Sequence, residues 1–149
     1  MKTVSFDELS SLVGQEIGVS EWVEIDQSRI NQFAEATGDH QWIHVDPQRA
    51  AAGPFGTTIA HGYLTLSLAS FLVPQLIEVR GIAMAINYGA NRVRFPAPVP
   101  VGSRLRARAQ IQAVDDVAGG VQVTDLVTIE IDGNDKPACV VESISRYLA

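Results

Sequence analysis

The chain has 149 residues, of which 46% are hydrophobic and 19% charged, with a formal net charge of −6. That length suits one domain with a sizeable core, and the composition is that of a globular rather than a disordered chain. The acidic balance argues against general nucleic-acid binding, which calls for a basic face. A lone cysteine, Cys139, excludes an intrachain disulfide and fits a reducing compartment.

The first residues, MKTVSFDELSSLVG, lack an apolar core followed by a small-residue cleavage site, so they do not read as a signal peptide. Ser5-Phe-Asp-Glu8 has the form of a capping box and predicts a short helix to about Leu12, stopped by Gly14. Val19–Ile25 has strand character. Asp26 is a natural N-cap for a helix over Gln27–Thr37, whose Ile30, Phe33, Ala34 and Thr37 recur at helical spacing before Gly38 ends it. Asp46-Pro47 is a second start signal, for a short helix through Ala52, and Gly53-Pro-Phe-Gly56 is a loop.

Next comes a run from Gly62 to Val73 that is apolar on nearly every face, ended by Pro74. It predicts one long buried helix. The run is too short and too interrupted by Ser67, Ser70 and Pro74 to span a bilayer. The expectation is a soluble cytoplasmic protein, without membrane or nucleic-acid partners. No Ser, Thr, Asp or Asn immediately precedes Gly62, so the first N–H groups of this helix lack a local cap.

The second half changes period. Ile82–Gly89 and Asn91–Phe95 look like strands about a turn, and Pro96–Pro100 is a stiff connector. Leu105, Ala107, Ala109 and Ile111 alternate with polar residues, as do Val121, Val123, Asp125, Val127, Ile129 and Ile131. Turns are expected at Asp115–Gly120 and Gly133-Asn134, with a last strand over Cys139–Leu148. Helices followed by strands at hairpin spacing predict an α+β domain spanning 1–149, with an antiparallel sheet curled around the central helix. That is the hot-dog arrangement. One curled sheet does not easily cover both ends of such a helix, so pairing of two protomers is expected.

The chemistry concentrates in the middle. Asp39 and His44 lie five residues apart just past a helix end, where a carboxylate and an imidazole can share one water as a general acid/base pair. They can equally serve as a helix-end cap and a satisfied structural histidine. Gly62 lets another molecule's oxygen approach its N–H at a helix start, or simply lets two elements pack closely. Ser70 falls near the same helix face two turns on, where its hydroxyl can bond back to the helix or reach a ligand. His61 reads as structural. No His-Glu pair with a third ligand is evident, so no metal is expected.

Phe33-Ala-Glu-Ala-Thr-Gly-Asp39-His-Gln-Trp-Ile-His44, followed by Ala60-His-Gly62 and an apolar helix, resembles the hydratase-2 motif of the MaoC-like, (R)-specific enoyl-CoA hydratases. Gly38–Pro47, Asn87-Tyr-Gly89 and Arg92-Val-Arg-Phe-Pro96 are similar to the NodN-like branch. The resemblance covers most of the chain. It implies a hot-dog homodimer that acts on an acyl-CoA thioester without metal or redox cofactor. Asp39 and His44 would be the catalytic pair and Gly62 the donor to the thioester oxygen. Ser70, Asn87, Gln41 and Trp42 would meet substrate. Gln41-Trp42 departs from the Asn-Pro usual in the broad family; the amide is kept, but Trp42 replaces a rigid proline and bears on chain-length preference. The reaction implied is addition of water to a trans-2-enoyl-CoA. The alternatives are dehydration of a carrier-protein thioester, thioester hydrolysis, or acyl-CoA binding without catalysis.

Overall fold

The computed structural model describes all 149 residues, Met1–Ala149. The architecture is a curled antiparallel sheet holding helices against its concave face. The strands are β1 Lys2–Ser5, β2 Glu16–Val19, β3 Val23–Glu24, β4 Ile77–Arg80, β5 Met84–Arg94, β6 Arg104–Val117, β7 Gly120–Ile131 and β8 Cys139–Leu148. The six-stranded sheet runs β2-β6-β7-β8-β5, with β3 also on β6, and it does not close into a barrel. Strand β5 is one edge. A separate parallel pair joins β1 to β4, a contact between chain positions 75 residues apart that no local pattern announces.

The long strands form for the reason their sequences suggest. Along β7 buried and half-buried residues alternate without exception, and Leu105, Ala107, Ala109 and Ile111 of β6 face the same interior. On the other face Arg106 and Arg108 share Glu130, and Arg108 also holds Glu16 at 2.8 Å. These arginines are therefore committed to a cross-strand ion-pair network. Such half-exposed pairs steer register more than they add stability. Cys139 is buried among the core residues, which pushes its thiol up to about 11, in keeping with a packing role.

Two helix starts follow their caps. In α1, Gln27–Thr37, the Asp26 carboxylate accepts from Arg29 N–H at 2.8 Å, and Gly38 closes the helix at φ +79°. In α3, Pro47–Ala51, Asp46 does the same for Arg49 N–H at 3.0 Å. Glu8 reaches back to the Ser5 N–H at 2.8 Å, although the helix it starts, Phe6–Leu12, is a 3-10 helix.

Several expectations are corrected. Val19–Ile25 is not one strand: at Ser20 the N–H still donates to the Ala107 carbonyl at 2.8 Å, but the hydroxyl rather than the main-chain carbonyl accepts from Ala107 N–H at 2.9 Å, and regular pairing is interrupted between β2 and β3. The two strands expected about a turn near Ala90 are one, β5, because the irregularity is taken up by two bulges. The turn expected at Asp115–Gly120 is tighter, with both strands running on to Val117 and Gly120. Residues 42–45, for which no element is foreseen, form a one-turn helix, α2 Trp42–Val45.

The central helix differs most. It is divided into α4 Gly62–Ser67, α5 Ala69–Leu72 and a 3-10 turn Val73–Gln75. At Leu68 the N–H is shared between the Leu64 and Thr65 carbonyls, so the ladder tightens there before Pro74 ends it. Nor is it enclosed on every side. Leu64, Leu68 and Leu72 face the core, whereas Tyr63 is 70% and Phe71 54% exposed. No helix is long and apolar enough to cross a membrane.

Candidate active site

The site forms where α1, α2 and the start of α4 meet. Gly38 turns the chain out of α1, and Asp39 follows it at the surface. The Asp39 carboxylate accepts from Gln41 N–H at 3.3 Å, which fixes its direction with a local bond. Gln41 thus contributes its backbone, and its side chain is exposed. The one-turn helix α2 then swings His44 inward, where it is buried.

The tautomer of His44 follows from its partner. Its Nδ1–H donates to the Ile59 carbonyl at 2.7 Å, and a carbonyl can only accept. Nε2 is therefore left as the free lone pair. Burial holds the imidazole below its ordinary value, opposed by the Ile59 bond; His61 lowers it further and Asp39 raises it. A neutral ring with an available Nε2 is the form a general base requires near pH 7.

His61 assembles the cluster. Its ring stacks on that of His44 with centroids 3.9 Å apart, and its Nε2–H donates to the Asp39 carbonyl at 2.9 Å. Nδ1 of His61 is buried without a partner. The Asp39, His44 and His61 donor atoms lie within 4.8 Å of one another. Carboxylate and imidazole are metal-ligand types, but the rings are within 24° of parallel, so an ion in the plane of one lies well out of the plane of the other. The arrangement suits proton handling better than a tetrahedral ion.

Gly62 is the next residue after His61, so its N–H opens α4 at the margin of this cluster, and no side chain caps the helix. Its lack of a side chain also has a packing reason: a Cβ there would meet the Phe95 ring at 3.1 Å. Both roles foreseen for this glycine are compatible with the geometry.

Ser70 and Asn87 meet each other. The Asn87 amide donates to the Ser70 hydroxyl at 3.3 Å, and both line a cavity of about 560 Å³ between α5 and strands β5, β7 and β8. Trp42 stands apart. Its ring packs under the Arg49 guanidinium at 4.4 Å and over Gly53, and it does not line that cavity.

Sequence reasoning missed the brace beneath His44. Gln27 donates to the His44 carbonyl at 2.7 Å and accepts from the Thr58 hydroxyl, joining α1, α2 and the approach to α4. Glutamine in the first turn of an amphipathic helix carries no signal of that kind. Gln27→Leu should leave the Thr58 hydroxyl and the His44 carbonyl short of partners and lower stability by about 1–3 kcal/mol. Chemical denaturation reads this directly.

Comparison with known proteins places the site in context. The family model described as "MaoC like domain" matches residues 8–131. The chain is 58% identical over 146 residues to 3-hydroxyacyl-thioester dehydratase Z of Mycobacterium tuberculosis, covering 97% of each chain. It is 49% identical over 141 residues to nodulation protein N of Rhizobium meliloti, covering 93% of this chain and 88% of that one. Among solved structures, the (R)-hydratase from A. caviae involved in PHA biosynthesis superposes with a TM-score of 0.73 at 27% identity, over 89% of this chain and 94% of that one. With a matched model spanning most of its length and the hot-dog architecture in place, this chain belongs to the MaoC-like dehydratase and hydratase family.

Proposed function

We propose that the protein adds water to a trans-2-enoyl thioester of coenzyme A, giving the (R)-3-hydroxyacyl thioester. The observation that carries this is the pairing of a neutral His44, its Nε2 free, with the Asp39 carboxylate. His44 Nε2 takes a proton from a water as its oxygen bonds to C3. Electron density moves from the C2–C3 double bond onto the thioester oxygen, which accepts from Gly62 N–H. A proton returned to C2 by the Asp39/His44 pair completes the addition. The pair is coupled, so the two groups titrate together. The same groups run in reverse as a dehydratase, and the name of the 58% identical relative supports that direction on the same site.

The test is crotonyl-CoA absorbance at its enoyl-thioester band, with thiol measured in parallel. Loss of the band without thiol is the expected result. Loss with thiol indicates hydrolysis of the thioester, and no change indicates binding without turnover; either outcome removes the hydratase reading.

The working unit we propose is a homodimer. Strand β5 is an edge whose outer main chain has no partner, and Met84, Ile86 and Tyr88 are exposed along it. Tyr63 and Phe71 are exposed on the open side of α4 and α5. A second copy laid along this face would complete the cover that the central helix lacks. Phe71→Glu places a charge in that contact and should weaken self-association about tenfold or more, read as a concentration-dependent shift to monomer in sedimentation.

A further inference from the structure

Strand β7 carries one residue that breaks its rule. Val121, Val123, Val127, Ile129 and Ile131 fill its inward positions, and Asp125 occupies the one between Val123 and Val127. The residue is only 5% exposed, its Oδ1 has no hydrogen-bond partner, and it takes no part in the sheet's ion pairs. Leaving a carboxylate there is costly unless something satisfies it.

Asp125 lines a cavity whose walls are about half apolar and half polar. Asp125 pairs in register with Ser143 on β8, and Ser145 and Tyr147 follow on the same face of that strand. Across the space stand Asn87 and Ser70, already bonded to each other. All six line the cavity of about 560 Å³, and its remaining walls include Leu66, Ala69 and Val73 of the central helix. The helical wall begins four residues past Gly62, about 6 Å along the axis, and Ser70 lies about 12 Å along. Gly62, Asp39 and His44 do not themselves line this cavity; the helix that Gly62 opens sets its wall within the reach of a medium-length acyl chain. The arm of coenzyme A must lead out to solvent with its phosphates, whereas Asp125 sits at a buried, negatively disposed end. The buried side of the cavity, where Asp125 lies, suits the far portion of the acyl group.

Resting on the hydratase reading, we propose that this cavity takes the distal part of an acyl thioester carrying a hydrogen-bond donor, a hydroxyl or an amino group, with Asp125 as its acceptor. Ser143, Ser145 and Tyr147 supply the remaining polar contacts. A site built around a buried polar group discriminates against an analogue that leaves the group unpaired. Asp125 thus selects among substrates without entering the proton transfers.

The experiment compares octanoyl-CoA with ω-hydroxyoctanoyl-CoA and ω-aminooctanoyl-CoA by calorimetry. These saturated thioesters have no double bond to hydrate, so the measurement reads the cavity alone. Hydration of crotonyl-CoA is followed separately. Wild-type protein should bind one substituted thioester about tenfold or more tighter than the plain one, and the favoured arm tells hydroxyl from amine. Asp125→Val should reverse that order. Asp125→Asn, which keeps the shape and guards against a folding defect in the valine variant, should shrink the preference for the amine most. Protein that hydrates crotonyl-CoA yet binds all three alike, or prefers octanoyl-CoA, overturns the cavity assignment and leaves the reaction standing. Protein that prefers a substituted thioester yet never hydrates crotonyl-CoA supports the assignment and removes the reaction.

Discussion

Asp39→Asn and His44→Ala should each lower kcat/KM for crotonyl-CoA by about a hundred- to ten-thousand-fold, the usual range for removing a general acid or base. The two losses should not add, because the groups act as a unit within 4.8 Å of each other. Asp39 is exposed and its replacement by Asn keeps the shape, so the melting temperature of that variant should stay close to wild type. His44→Ala also removes the bond to the Ile59 carbonyl and should cost some stability as well. The wild-type pH profile carries a further signature. The proposed mechanism requires neutral His44, and burial lowers its protonation range, so kcat/KM should hold at neutrality and fall only at pH below the ordinary imidazole value of 6.5. Near wild-type hydration by both variants would refute the assignment of the pair.

The second large effect concerns stability. Burial pushes the Asp125 carboxyl up from 3.8 to about 7. Between those values the folded protein holds a proton that the unfolded chain has released. Stability from this group is therefore greatest in acid, falls as pH rises from about 4 to about 7, and is level above that. At about 1.4 kcal/mol for each tenfold change in protonation, the penalty above neutrality is on the order of 4 kcal/mol. Asp125→Asn should relieve it. The variant should match wild type near pH 4 and exceed it by several degrees in melting temperature at pH 8. An equal gain at both pH values would show that protonation is not the cause. Tyr147, buried beside this carboxylate, has its phenol pushed up to about 12 and stays neutral throughout. A residue that costs stability within a run of valines and isoleucines accords with the binding role proposed for Asp125.

What the residues foretold depended on the range of the interaction. Asp26 with Gly38, and Asp46 with Pro47, act on groups three or four positions away; both helices start where those signals put them, and α1 ends at its glycine. The period-two alternation of β6 and β7 is likewise local, since a side chain's face depends only on its parity. The Asp39-to-His44 segment was readable as a candidate pair, and its resemblance to a family motif named the chemistry it would serve.

The tertiary structure decided the rest, because those features rest on partners far apart in the chain. Strand β5 stays whole only because its bulges are absorbed against β8. The central helix tightens at Leu68, where the residue sequence is as apolar as its neighbours and carries no breaker. The free nitrogen of His44 is identified by the carbonyl of Ile59, fifteen residues away, and Asp39 is tied to the helix start by His61. Asp125 was visible as an acid in an apolar phase, but only the enclosure by β8, β5 and α5 shows that it is buried without a partner. Sequence alone determined secondary-structure tendency and the family of chemistry; which nitrogen is free, which carboxylate is stranded and which edge is open are properties of packing, and packing is long-range.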